Sequence, residues 1–322
     1  MNFRMLPLVL TLVPIHTAQA ETEPCFDRTL AITRYHYVNP GSIEDNWQDI
    51  YEITLSAGNV SSVTRLSKGA ITIPRYDSSS PTYSPDGMRI AYIEADAGGS
   101  NARVKVMDAV DSDADLQGDN ASVLVSTDVD IVSIDWAADN RIVFGRFDAA
   151  GDTQIASAVL SGSTLGAIST HTADSDYPDY PKFLANNQII YDADGETIKH
   201  IDLTSNVVST LSGPAPRDRR ASGHALGADI YFARIVPPTL DLWKARLNAD
   251  LSLSNVTALI SSTDASETAP MVSDDGACLA YLASDLSVTY GPNSDLWIRD
   301  LTSGETRQIT KTRDLAGAVW KP

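Results

Sequence analysis

One short phrase recurs along this chain: an apolar strand, a tight polar turn, then a second apolar strand. Its best copy runs from Pro81 to Tyr92, with Ser84, Pro85, Asp86 and Gly87 in the turn, and a second runs from Ala269 to Tyr281. Aligning on Ser84 places drifted copies at Ala137, Leu184 and Ala225, a good one at Ser273, and a last at Lys321. The steps are 53, 47, 41, 48 and 48 residues, the period of propeller blades. Asp86 with Gly87, and Asp275 with Gly276, suit the positive φ that tight hairpin connections demand.

Each copy is followed by outer strands. Asp49–Leu55, Thr197–Leu203, Asp241–Leu247 and Asp295–Leu301 alternate apolar and polar residues, as half-buried strands do. No stretch beyond the first twenty residues offers a long apolar stripe at helical spacing, which disfavours an α/β fold. The expectation is an all-β, six-bladed propeller of four-stranded blades. The expected blades are 81–127, 130–170, 177–212, 220–262 and 268–311, with 315–322 joining 28–67 for the sixth. Thr29–Thr33 reads as a second strand lacking its predecessor, and Leu315–Trp320 as a first strand after which the sequence stops. The C-terminal strand is therefore expected to complete the N-terminal blade, which pairs edges otherwise left open.

Residues 1–20 read as an export leader: Arg4 is the positive end, Leu6 to Ile15 the apolar run, and Ala18, Gln19 and Ala20 the cleavage pattern. The apolar run is too short to span a bilayer, where about 20 residues are needed. Residues 21–322 are then expected as one propeller domain, periplasmic or secreted. The chain has 24 basic and 42 acidic residues, a net charge of −18. That balance argues against nucleic acid, whose phosphates need Lys and Arg, and against an anionic membrane surface. The two cysteines, Cys25 before the first strand and Cys278 in the last repeat, become neighbours in a closed ring. They are expected to form a disulfide in an oxidising compartment, the alternative being two buried thiols.

Tyr83 to Gly87 followed by Ile90, Ala91 and Tyr92, together with Asp295, Leu296 and Trp297, resemble the TolB-like, WD-like propeller repeats of exported bacterial proteins. The resemblance covers about 290 residues and implies fold, not activity. TolB-type proteins carry an α/β domain ahead of the propeller, whereas here eight residues separate the expected cleavage point from the first strand. Prolyl-oligopeptidase relatives join such a propeller to a serine hydrolase domain. This chain has no Gly-x-Ser-x-Gly elbow, so a peptidase is not expected.

Propellers bind at one end of the channel through the loops that lead into each inner strand. The candidates there are Tyr76, Asp77, Asp128, Asp130, Tyr177, Asp179, Tyr180, Arg217, Arg219, Arg220, Glu267 and Arg313. Arginine and aromatics give forked hydrogen bonds and large contact area; Arg217, Arg219 and Arg220 either hold a carboxylate or sulfate or pair with neighbouring acids. Asp111, Asp113 and Asp115 place oxygens at alternate positions, as calcium requires. Leu116 and Ser122, however, stand where a calcium loop needs Gly and Glu. No cofactor is expected, with calcium the alternative there. His36, His171, His200 and His224 show no metal-binding spacing. Trp243 and Trp297 read as blade packing.

The resulting expectation is a non-catalytic, monomeric exported propeller that binds a protein or peptide partner of the cell envelope at its channel mouth. The alternative is a lyase or hydrolase acting on an acidic glycan. It requires His171 or His224 to stand with Tyr177, Tyr180 and the arginine loop in one funnel.

Overall fold

The computed structural model describes residues 24–36, 46–67, 76–96, 101–110, 122–124, 130–172, 177–185, 187–213, 216–224, 227–287 and 293–322. The expected leader, Asp111, Asp113, Asp115 and Asp128 lie outside them. Six antiparallel sheets follow one another along the chain, the inner strand coming first in all but the first sheet, whose inner strand is the last of the chain. The first sheet is β1 (Thr29–His36), β2 (Trp47–Ser56) and β3 (Asn59–Arg65), completed on its inner side by β25 (Leu315–Trp320). The second is β4 (Tyr76–Tyr83), β5 (Arg89–Asp96), β6 (Arg103–Asp108) and β7 (Ser122–Leu124). The third holds β8 (Ile131–Trp136), β9 (Arg141–Phe147) and β10 (Thr153–Ser161), with two short edge pieces, β11 (Thr164–Leu165) and β12 (Ser169–Thr170). The fourth is β13 (Asp179–Ala185), β14 (Gln188–Ala193), β15 (Thr197–Asp202) and β16 (Val207–Thr210). β17 (Asp218–Gly223), β18 (Asp229–Val236), β19 (Thr239–Leu247) and β20 (Leu253–Ile260) make the fifth. β21 (Ala265–Val272), β22 (Cys278–Asp285), β23 (Ser294–Asp300) and β24 (Thr306–Gln308) make the sixth.

The expected closure is present. β25 pairs with β1, Leu30 opposite Trp320 and Ile32 opposite Ala318. Cys25, in a 3-10 turn ahead of β1, is bonded to Cys278 on β22, 253 residues away. Blade limits differ from expectation at the inner strands, which begin at Tyr76, Asp218 and Ala265 rather than at 81, 220 and 268. Asp77, Arg219, Arg220 and Glu267, expected in loops, are strand residues here, because the inner strands pair on past a bulge toward their beginnings.

Second strands form the core. Ile90–Ala95, Ile142–Phe144, Ile189–Ala193 and Ile230–Ala233 are buried on both faces, since each lies between two neighbouring blades. That is why they read as largely apolar runs, broken only by buried Glu94 and Asp192. Both clear copies of the turn are built by their own side chains. Ser84 Oγ donates to Asp86 (2.6 Å), which accepts the Met88 N–H (3.0 Å), and Gly87 has φ 67°. Ser273, Asp275, Ala277 and Gly276 repeat the arrangement. The Asp that opens several third strands is structural as well. Buried Asp49, Asp241 and Asp295 accept hydrogen bonds from Ser67, Ser261 and Thr310, hydroxyls that follow the fourth strand of the same blade. Trp243 and Trp297 pack against the cores of their own and neighbouring blades, Trp297 stacked on Tyr281 at 6.4 Å.

One repeated feature had no counterpart in the sequence reading. Every inner strand carries a bulge of one extra residue at the same level, at Ser80, Val132, Tyr180, Arg220, Ala269 and Ala316. Four of these residues, Ser80, Tyr180, Arg220 and Ala269, have φ between 49° and 51°, a left-handed conformation costly for residues with a Cβ. Counting from the bulge, His224 rather than Ala225 takes the place of Ser84 and Ser273.

Candidate binding sites at the two channel mouths

The bulges divide the channel. On the side where the inner strands begin, the entry mouth, a cavity of about 320 Å3 is lined by Thr33, Tyr35, Gln48, Tyr180, Arg220 and the bulge residues of all six blades. On the side where the inner strands run into their tight turns, the turn mouth, a second cavity of about 340 Å3 is lined by Tyr83, Asp135, Trp136, His224, Asp274 and the C-terminal Trp320 and Pro322. Lys182 and Met271 line both cavities and so form the floor between them. Lys182 is held by an ion pair to Asp135 (3.1 Å), which also accepts the Phe183 N–H (2.8 Å).

At the entry mouth two adjacent bulges are pinned by carboxylates. The Tyr180 N–H is taken by Asp179 (2.7 Å) and the Arg220 N–H by both oxygens of buried Asp192 (2.6 and 2.7 Å). The side chains then meet in the cavity: the Arg220 guanidinium lies 4.6 Å from the Tyr180 ring centre and donates to its hydroxyl (3.1 Å). Burial raises the pKa of both carboxyls. Asp192 goes up to about 7, with Asp179 nearby adding to burial while the Arg220 N–H and charge oppose it. Tyr35 and Tyr180 are raised by burial too, with Asp77 contributing at Tyr35.

The expected site residues divide accordingly. Tyr180 and Arg220 line the cavity; Asp179 stands behind it, and Asp77 accepts the Gln48 N–H (2.9 Å) at its edge. Tyr76 begins β4 on the same side. Asp130 and Tyr177 are exposed. Arg217 pairs with Glu196 (2.9 Å) and Arg313 with Asp285 (3.0 Å), both with more than half of the side chain in solvent. Arg217 thus follows the internal-pairing alternative. Arg219 is half-buried, and its Nε has no partner among the described residues. Glu267 is buried instead of being displayed, and burial with the Asp241 carboxylate pushes it up to about 7.

The arrangement required by an acidic-glycan enzyme does not form. His224 lies at the turn mouth, its ring against Gly276. His171 is on the outer strands, where Nε2 meets Ser157 Oγ (2.8 Å) and Nδ1 meets Asn206 Oδ1 (2.8 Å). Ser157 is 4 % exposed and out of reach of a substrate, so this relay joins the third blade to the fourth. Neither histidine reaches Tyr177, Tyr180 and Arg220. Thr33, Tyr35, Gln48 and Lys182 escaped the sequence reading because they are strand residues. The signal that would have found the ring is the recurrence of Pro81, Pro181 and Pro270 just after three of the bulge residues.

No family model matches the sequence, and no curated protein matches it either. Solved structures do. TolB from Acinetobacter baumannii is 17 % identical with a TM-score of 0.64, the match covering 93 % of this chain and 68 % of that one. A putative TolB from Agrobacterium tumefaciens is 14 % identical with a TM-score of 0.61, covering 90 % and 91 %. A chain of a nidogen/laminin complex is 11 % identical with a TM-score of 0.61, covering 91 % and 98 %. What these likenesses establish is the fold: a six-bladed propeller of the TolB-like kind.

Proposed function

We propose that this chain is an exported, non-catalytic propeller that binds a protein or peptide partner of the cell envelope at the entry mouth. The observation that carries the reading is the convergence of Tyr35, Tyr180 and Arg220 in one cavity, built on strands instead of loops. Aromatics and arginine on a rigid frame are what binding hot spots are made of, and strand positions fix them more firmly than loops. The Cys25–Cys278 disulfide supports an oxidising compartment, and among the described residues no helix is long and apolar enough to cross a membrane. Two of the similar structures, a TolB and a propeller from a nidogen/laminin complex, add support by analogy of fold alone.

The test is cross-linking in envelope extract with wild type and with Tyr180→Ala, followed by reconstitution of the recovered pair from purified components. The reading expects a partner that is lost or weakened at least about tenfold in the variant, the scale of a hot-spot truncation. A partner held equally by both proteins, or no partner at all, removes it.

A further inference from the structure

The six bulge residues form a ring around the entry cavity, and the ring is not uniform. Four positions hold Ser80, Val132, Ala269 and Ala316; the other two, side by side, hold Tyr180 and Arg220. A left-handed conformation is tolerated at the price of strain, and strain held in place by surrounding bonds concentrates where function needs it. Here the bonds are the carboxylates of Asp179 and Asp192 on the two backbone N–H groups. They turn a guanidinium and a phenol into the cavity.

That guanidinium belongs to the one arginine among the described residues that line the entry cavity. Arg34, Arg65, Arg217, Arg234 and Arg313 each have a carboxylate within ion-pair distance, and Arg220 has none among the described residues. Its one side-chain hydrogen bond is to the Tyr180 hydroxyl, leaving most of its five donors unused. A second observation points the same way. Thr33 is 1 % exposed and lines the cavity, and its hydroxyl makes no hydrogen bond among the described residues. Buried hydroxyls are normally satisfied. A flat, forked donor, an idle hydroxyl and two aromatic rings suit a planar anion with two oxygens.

We infer that the entry mouth is a carboxylate subsite, in which Arg220, braced on Tyr180, grips a single carboxyl group of the bound ligand and Thr33 donates to the same anion. This rests on the reading of the entry mouth as the peptide-binding face. A cavity of about 320 Å3 has room for about one residue of a peptide. The carboxylate is therefore either a chain terminus or an Asp or Glu side chain.

Three probes separate these sources: N-acetylglutamine carries only a terminal carboxylate, N-acetylglutamate α-amide only a side-chain one, and N-acetylglutamine amide neither. Binding is measured by titration in ligand-observed NMR and calorimetry at low salt. The expected result is that one acid binds wild type at least about tenfold more tightly than the neutral amide. That preference disappears in Arg220→Gln, returns in part in Arg220→Lys, which keeps the charge but not the fork, and survives in the control Arg217→Gln. Equal binding of all three probes, no binding by any, or a preference that persists in folded Arg220→Gln overturns the subsite. If Arg220→Gln does not fold, the wild-type comparison of acids with amide decides. A carboxylate preference without any captured partner keeps the subsite and removes the protein-binding reading; a captured partner without the preference does the reverse.

Discussion

The two ends of the channel treat charge in opposite ways. At the turn mouth three cations are held by carboxylates: Lys182 by Asp135, Lys321 by Glu52, and Arg28 by Asp275. Among the described residues the acid left over is Asp274, at the edge of the concavity, its pKa raised by partial burial and by the neighbouring Asp135 and Asp275 against the pull of His224 and Arg28. At the entry mouth the acids Asp179 and Asp192 are spent on backbone N–H groups, and a guanidinium is left over. Among the described residues, the channel thus ends in one mouth with a carboxylate that has no ion pair and in the other with an arginine that has none. The ring seam differs between the same ends. On the turn side it is covalent, through Cys25 and Cys278, with the Arg28–Asp275 pair beside it. On the entry side Arg34 and Asp314 hold it by charge, helped by the Tyr35 N–H to the Asp314 carbonyl (2.7 Å).

The largest expected effect comes from cutting the covalent side. Replacing Cys25 and Cys278 by Ser opens a loop that encloses nearly the whole described chain, and loss of a native disulfide costs about 2–5 kcal/mol. Urea unfolding should show a lower midpoint and a somewhat larger m-value, because the unfolded chain expands once the 253-residue loop is no longer closed. A midpoint shift smaller than that from breaking the entry seam would reverse the ranking of the two ends.

Next is the floor between the cavities. Lys182→Met leaves the Asp135 carboxylate half-enclosed without its cation, which should cost about 1–3 kcal/mol given the partial exposure of both groups. Adding Asp135→Leu should not restore full stability, because the Phe183 N–H would lose its acceptor. Thermal unfolding of the two single variants and the double variant measures the coupling. A double variant as stable as wild type would show that the floor is mere packing.

How far the sequence carried this picture depends on the kind of residue. Blade order, the closing strand and the disulfide were legible, because the Ser-x-Asp-Gly turns and doubly buried second strands are built from local bonds and largely apolar runs. The site was legible only in outline. Tyr180 and Arg220 stood out as aromatic and basic, but Thr33 and Tyr35 enter the same cavity from the far end of the chain through ring closure. Arg217 and Arg220 look equivalent three positions apart, yet one points to Glu196 at the rim and the other into the channel. A bulge makes that difference, and no single residue type encodes it.

Acidity separates the mouths again, with a smaller effect. Asp192 and Glu267, on the entry side, are raised to about 7 in the folded state, by burial first and by neighbouring carboxylates. A carboxyl raised above its unfolded value of about 4 adds stability that is present below that value and lost as pH rises through about 7. Asp275 on the turn side is the reverse: although burial opposes it, Arg28, Ser273 and the Ala277 N–H hold it at about 2. Its contribution is present above about 4 and lost as pH falls toward about 2. Stability followed from pH 5 to 8 should therefore decline by at most about 1.4 kcal/mol per pH unit for each raised group, and Asp192→Asn should flatten the decline. A profile that Asp192→Asn leaves unchanged would mean that this carboxyl titrates at its ordinary value.

The smallest effect is expected at the entry seam. Arg34 keeps 37 % of its side chain in solvent, so its pair with Asp314 is worth no more than about 1 kcal/mol and should weaken with salt. Asp314→Asn removes the charge but keeps the backbone carbonyl that receives the Tyr35 N–H. The global midpoint should then barely move, while amide exchange quickens in β25 near Leu315 and stays slow near Trp320, on the side of the disulfide. Ring closure that tolerates this substitution while failing without the disulfide would place the strength of the seam at the end opposite the arginine. Quickened exchange along the whole of β25 would instead make the entry side the one that keeps the ring shut.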